Sequence, residues 1–262
     1  MKITLAIATY NRADIWRNKF LVNSIGVQTR KPDEIIVVDD GSTDDTLAVV
    51  KEMLPEARLF RVTAPKRTEH HDSAMADQVI YREATGDLLV HIDDDGFVNN
   101  RLIEFVGNLG LGAVYYGNNA YIDPITKKRM GIDSRVDKLG CATGKAVQMG
   151  GGFCQGALYA VEPRLVRELG GHDMEYIGYR GCDNRLGRRL ETMVPAWFMN
   201  AQYMTFYHWG YSKYIEMQRG DGTLSISAWR VPELGDGTRC QVIANGGVTF
   251  WEHGLDGMYE EV

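Results

Sequence analysis

Apolar and polar positions change rhythm repeatedly along the first hundred residues. Ile3 to Thr9 is an almost unbroken apolar, β-branched run, and it predicts a strand buried on both faces. Trp16 to Val27 spaces Phe20, Leu21 and Ile25 as a helix does. Glu34 to Asp39 is a second buried strand. Ser42 or Thr43 is placed to cap the next helix, which carries Leu47, Val50 and Leu54 on one side. Ala57 to Val62 predicts a third strand, Ser73 to Ala84 a helix, and Asp87 to Ile92 a fourth strand running into Asp93. Asn99 or Asn100 then caps a helix holding Leu102, Ile103, Phe105 and Val106. Strands alternating with helices imply an α/β fold: a Rossmann-like, mostly parallel sheet flanked by helices.

The second half is less regular. Leu111 to Tyr116, Asn119 to Ile122 and Gln155 to Val161 predict strands, and Glu162 to Leu169 and Cys182 to Leu190 predict helices. Residues 123–152 are charged and rich in Gly, and read as a mobile loop; residues 213–262 show no clear period. Internal repeats and low-complexity tracts are absent from the sequence.

In open parallel sheets, ligands bind beyond the carboxyl ends of the strands. Three polar clusters fall at such ends: Thr9-Tyr10-Asn11-Arg12, Asp39-Asp40-Gly41-Ser42 and Asp93-Asp94-Asp95. Adjacent carboxylates at the end of a buried strand repel one another unless a cation or donors neutralise them. A hard divalent ion, Mn2+ or Mg2+, shared between carboxylates and substrate phosphates does so. An isolated acidic run is more often a solvated turn; the strand before it and the neighbouring clusters favour the metal.

Composition narrows the function. The formal net charge of −6 argues against bulk binding of nucleic acid. The short basic pair Lys66-Arg67 reads as a solvated loop. Four cysteines without a C-x-x-C pair, in a chain of 262 residues that can build a large core, read as reduced thiols of a cytoplasmic protein. A Cys141–Cys154 pair is the minority alternative. The opening apolar run is too short for a signal peptide, and no stretch is long enough to span a bilayer, so membrane contact is expected to be peripheral at most.

The order Thr9-Tyr10-Asn11-Arg12, Val37-Val38-Asp39-Asp40-Gly41-Ser42-Thr43-Asp44, Ile92-Asp93-Asp94-Asp95 resembles the family 2 glycosyltransferases of the GT-A fold. The likeness is close over residues 1–110 and looser to about residue 210. It implies a GT-A domain over 1–210, with a nucleotide-sugar-binding half (1–110) and an acceptor-side half (111–210). Residues 211–262 are then an extension packed on the same domain. It further implies a nucleotide-sugar donor, with UDP-sugars the default, and a glycan or other hydroxyl-bearing acceptor. Thr9, Tyr10, Arg12, Asp39, Asp40, Asp93 and Asp94 are the implied nucleotide-sugar contacts, and Asp95 the best metal ligand. His208, after a late strand, resembles a further metal ligand of GT-A enzymes; a lone His is about as often a satisfied core residue. Gly170-Gly171-His172-Asp173, then Gly181-Cys182-Asp183, resembles the family's base segment, with Cys182 where a Glu is usual and Asp183 matching the Asp. Asp183 is thus the implied general base of an inverting displacement. Where many members of the family have an Arg-Asn pair, this chain has Ala76-Asp77-Gln78; Asp77 and Gln78 read as helix surface, with nucleotide contact the alternative. His70-His71 read as loop, and Trp209, Tyr211 and Trp229 as core or sugar-stacking aromatics. A retaining transferase, a metal-dependent nucleotidyltransferase and a non-catalytic sugar-binding module are the alternatives. The nucleotidyltransferase is disfavoured because no Gly-rich loop follows the first strand.

Overall fold

The computed structural model describes residues 1–64, 73–123, 126–172, 182–209, 255 and 257–262. The first half of the chain forms much as its periodicity predicts. Strands β1 (Ile3–Thr9), β2 (Glu34–Asp39), β3 (Arg58–Val62) and β4 (Leu88–Ile92) alternate with helices α1 (Ala13–Arg17), α2 (Phe20–Gly26), α3 (Thr46–Met53) and α4 (Ser73–Glu83). There follow β5 (Gly96–Val98), α5 (Leu102–Gly107), β6 (Val114–Ile122), β7 (Arg129–Ile132), α6 (Ser134–Lys138), β8 (Lys145–Met149), β9 (Leu158–Val161) and α7 (Pro163–Glu168). The last elements are α8 (Cys182–Leu190), β10 (Ala196–Asn200), β11 (Thr205–Trp209) and β12 (Tyr259–Glu261).

The strands join into one sheet with the order β12-β3-β2-β1-β4-β9-β6-β10-β8, from which β11, β5 and β7 branch at β6. β1 pairs in parallel with β2 and β4, and β2 with β3. Each apolar strand supplies two cores, because successive side chains leave opposite faces. Ile3, Leu5, Ile7, Leu88, Val90 and Ile92 join Trp16, Val50 and Ile103 on one side. Ala6, Ile36, Val38 and Leu89 join Ala76, Ile80, Leu165 and Leu186 on the other. Both faces are therefore covered, as a parallel sheet requires.

Four local expectations are corrected. The helix expected over Trp16–Val27 is two short ones, because Lys19 adopts a left-handed backbone conformation (φ 61°) between them. α3 starts at Thr46, not beside Ser42, whose hydroxyl is taken by Asp39 instead. The two strands expected around residues 111–122 are one, β6. The expected loop 123–152 contains β7, α6 and β8. β8 is an edge strand with an exposed side, so its apolar pattern is weak.

β12 returns to the other edge of the sheet and pairs antiparallel with β3, Tyr259 opposite Val62. Arg58 ties this edge together, 3.1 Å from Glu261, 3.0 Å from Glu34 and 3.0 Å from Glu83. Cys141 and Cys154 are buried and free. Among the described residues, no helix is long and apolar enough to cross a membrane.

The close approach of β11 to β5 depends on Gly96. A methyl group there would collide with the Tyr207 carbonyl and lie 2.7 Å from the Phe206 ring. Gly96→Ala is expected to destabilise the protein by about 1–3 kcal/mol, the cost of overpacking. A fall in thermal midpoint of several degrees would show it; an unchanged midpoint would show that β11 can shift freely.

Candidate active site

The strand register brings the polar clusters together. Thr9 lies opposite Asp39 across β1 and β2, and Ile7 opposite Ile92 across β1 and β4. The loops that follow open on one rim. They are stitched by side chains: the Asn11 amide donates to Ser42 Oγ (2.8 Å), and Asn11 Oδ1 accepts from the Thr43 amide (2.8 Å). Asn11 reaches both with a positive φ of 51°, a conformation Asn tolerates better than most residues. The Arg12 amide donates to Thr46 Oγ1 at 2.7 Å.

Asp39 is fully buried at the end of β2, where it accepts from the Ser42 amide and hydroxyl, with Arg61 Nε 3.9 Å away. Burial pushes its carboxyl above the ordinary value despite the Ser42 bonds and Arg61. Asp40 is buried beside it, its amide donating to the Thr9 carbonyl. Tyr10 is half-buried on the facing loop.

The three acidic residues after β4 have separate surroundings. Asp94 accepts from Thr9 Oγ1 at 2.6 Å, and Thr9 Oγ1 in turn accepts from Trp16 Nε1 at 3.0 Å. The Arg12 guanidinium stands 3.6 Å from Asp94. Asp95 instead faces β11, where His208 Nδ1 lies 3.0 Å from its Oδ1. The pairing of His208 with Gly96, and the bond from the Trp209 amide to the Asp95 carbonyl, hold it there. Potential ligand atoms of Asp93, Asp95 and His208 all lie within 4.8 Å of one another. The sequence reading named Asp95 and His208; the structure adds Asp93 to them and turns Asp94 toward Thr9.

The electrostatics of this trio suit a cation. Burial, then the neighbouring Asp95, pushes Asp93 up to about 7. Asp95 is held below the carboxylate range: burial opposes this, but the His208 hydrogen bond, His208 charge and Arg12 outweigh it. Burial works against charge on His208 too, yet Asp95 and Asp93 raise its pKa. Two carboxylates and an imidazole form an oxygen-and-nitrogen donor set of the kind that holds a divalent cation.

A second cluster sits one turn of chain away. β9 runs antiparallel to β4, so the segment before it reaches the same rim, and the Asp93 amide donates to the Ala157 carbonyl at 3.1 Å. One residue earlier, the Gly156 amide donates to Asp183 Oδ2 at 3.0 Å. A methyl group on Gly156 would lie 2.7 Å from Asp183 Oδ1, so only glycine lets the carboxylate approach. Burial, then Asp77, raises the Asp183 pKa.

Sequence reasoning missed the support behind Asp183. Asp77 and Gln78, expected on the helix surface, are buried at 3% and 0% exposure. Asp77 Oδ1 lies 3.0 Å from His91 Nε2, and His91 Nδ1 lies 3.0 Å from the Gly156 carbonyl. Gln78 accepts from the His172 amide (2.8 Å) and donates to the Gly170 carbonyl (3.2 Å). The available signal was His91 itself, a polar side chain inside the apolar run Leu88-Leu89-Val90-His91-Ile92. Lys66-Arg67, His70-His71, Asp173, Gly181, Tyr211, Trp229 and Cys240 lie outside the described residues. Trp209 packs against Phe20 with the rings tilted at 41° and their centroids 4.1 Å apart, and Lys127 lies over its ring.

The family model for glycosyl transferase family 2 matches residues 4–162, more than half of the chain. The chain belongs to that family. It is 25% identical over 130 residues to the O-antigen chain rhamnosyltransferase RfbN of Salmonella typhimurium, covering 50% of this chain and 38% of that protein. It is 26% identical over 124 residues to an uncharacterized glycosyltransferase of Haemophilus influenzae, covering 46% of this chain and 48% of that protein. The chain thus spans less than half the length of these relatives. Among solved structures, it resembles a mannosyltransferase from Pyrobaculum calidifontis in complex with GDP-Man and Mn2+, with TM-score 0.55 and 22% identity over 79% of this chain and 56% of that one. It also resembles S. aureus TarS 1-349 in complex with UDP, with TM-score 0.60 and 17% identity over 83% of this chain and 64% of that one. The expected GT-A architecture is therefore the one observed.

The His91 environment predicts a pH dependence of stability. Burial lowers its pKa, but Asp77 outweighs burial and the folded value rises from 6.5 to about 9. A folded pKa above the unfolded one stabilises fully below about pH 6.5, and the contribution disappears as pH rises through about 9. In chelator, the wild-type urea midpoint is expected to fall over that window and that of His91→Phe to fall less. Parallel profiles would contradict the assignment.

Proposed function

We propose that this chain transfers a sugar from a nucleotide-sugar donor to an acceptor hydroxyl, inverting the anomeric centre by direct displacement. The observation that carries the reading is the shared rim segment Gly156-Ala157, which bonds Asp183 on one side and Asp93 on the other. A candidate carboxylate base and a cation-suited cluster are thus tied to adjacent residues of one segment, and the reaction needs both groups close together.

Thr9, Tyr10, Arg12, Asp39 and Asp40 hold the base and ribose, with Asp94, oriented by Thr9, as a ribose contact. Asp95 and His208, joined by Asp93, would hold Mn2+ or Mg2+. The ion, when bound, offsets charge developing on the departing diphosphate. The Arg12 guanidinium, 44% exposed, adds positive charge from the chain itself at the same rim. Asp183 accepts the proton of the acceptor hydroxyl. The acceptor oxygen bonds to the anomeric carbon as the carbon–oxygen bond to the diphosphate breaks, and its electron pair leaves with the nucleoside diphosphate. A carboxyl pKa raised by burial makes Asp183 a stronger base than an exposed aspartate. Residues 1–110 form the donor half and 111–210 the acceptor half; the expected extension 211–262 lies outside the described residues except for 255 and 257–262. The similar structures hold GDP-Man and UDP, so a nucleoside diphosphate is the shared element; UDP-sugars are the first donors to try.

A thermal-shift screen of UDP-glucose, GDP-mannose and dTDP-rhamnose with Mn2+ or with EDTA tests this, because a ligand selective for the native state raises its apparent stability. One donor is expected to stabilise the protein only with Mn2+, and Asp95→Ala to abolish the shift. Stabilisation unaffected by EDTA would remove the metal from the reading. Asp183→Asn is expected to keep the shift while lowering turnover on the order of 100-fold or more. Full turnover in that variant would exclude Asp183 as base.

A further inference from the structure

Gly156 is held from two sides. Its amide donates to Asp183 Oδ2 at 3.0 Å, and its carbonyl faces His91 Nδ1 at 3.0 Å. A carbonyl oxygen can only accept, so the proton of that bond belongs to Nδ1. The other ring nitrogen faces the Asp77 carboxylate at 3.0 Å. The imidazole therefore reaches an acceptor at each end. It lies nearly parallel to the Tyr159 ring, with 11° between planes and centroids 4.8 Å apart. The Tyr159 hydroxyl in turn pairs with the Tyr81 hydroxyl of α4. Ring position and tilt are thus fixed by α4 at one end and by β9 at the other.

The same helix grips the chain that leads toward α8. Gln78 bonds the Gly170 carbonyl and the His172 amide, and Arg189 of α8 donates to the Gly171 carbonyl at 2.6 Å. His172 Nε2 lies 3.4 Å from Asp77 Oδ2, and its ring nitrogens are buried without a hydrogen-bonding partner among the described residues. Asp77 and Gln78 are adjacent, yet one reaches Gly156 through His91 and the other holds the turn after α7.

We propose that Asp77 and His91 form a positioning pair for Asp183, acting through the backbone of Gly156. His91 anchors the peptide plane that follows the Gly156 Cα and Asp183 accepts from the plane that precedes it, so the two bonds together restrict the Gly156 dihedrals and hold its amide toward the Asp183 carboxylate. Neither residue touches substrate in this arrangement. The proposal rests on the reading of Asp183 as base. It also accounts for a buried acid on α4 where a surface residue was expected.

The test compares His91→Phe, which loses both donors, with His91→Asn, whose side-chain amide can replace Nδ1 toward Gly156, and with Asp183→Asn. Hydrolysis of the nucleotide sugar that gives the largest Mn2+-dependent thermal shift supplies kcat and KM. Exchange of the Gly156 amide, followed by NMR, supplies a measure independent of turnover. His91→Phe is expected to lower kcat about tenfold or more, to change donor KM less than about twofold, and to speed Gly156 exchange about tenfold. His91→Asn is expected to recover most of both effects. If His91→Phe fails to fold, Asp77→Asn serves in its place, with the same split between kcat and KM expected. Unchanged Gly156 exchange, unchanged kcat, or equal losses in kcat and donor affinity would overturn the proposal. Full turnover in Asp183→Asn would remove the base reading and this proposal together. Loss there with none in His91→Phe would remove this proposal alone.

Discussion

Three successive carboxylates at the end of a buried strand repel one another, and much of the rim is arranged around how each is neutralised. Asp94 is turned toward Thr9 and Arg12, and Asp95 toward His208. Asp93 is left among acidic neighbours, its proton held to about 7. This division needs elements far apart in sequence. The end of β1 supplies Thr9, and β11 supplies His208 only because it can lie against β5 at Gly96. A bound divalent ion would complete what the protein leaves unbalanced at Asp93.

The legible part of the fold was the part with strong periodicity. β1, β2 and β4 are apolar on both faces, so their runs are nearly unbroken and their ends can be read closely. The three rim clusters followed from those ends. The second half was harder, because its strands are mixed in direction and most apart from β6 are short or partly exposed. β8 shows four of five side chains outside the core, which leaves little pattern to find. Lys19 broke a helix that spacing alone would continue, since backbone conformation at one residue leaves no trace in hydrophobic period.

The site was legible in proportion to how local its chemistry is. Asp93, Asp94 and Asp95 announce themselves as a run, and Asp183 was found through a family resemblance. Asp77 and Gln78 were misjudged because a polar pair on a helix is usually solvated. Here the pair faces inward, and its partners come from β4 and from the turn after α7. Asp93 joined the potential ligand set for a similar reason: which of three neighbouring carboxylates points toward His208 depends on backbone course after β4, not on order in the run.

The strand β12 has a consequence of a different kind. A sheet edge offers unpaired amides and carbonyls to any other extended chain. β12 occupies that row on β3, and Arg58 fastens it through Glu261 while Glu34 and Glu83 hold Arg58 from the other side. Removal of the last few residues would leave the segment Arg58-Leu59-Phe60-Arg61-Val62 as an open template. The chain would then be prone to join other copies of itself edge to edge. Among the described residues, the cover of this edge is three residues long and lies apart from the rim.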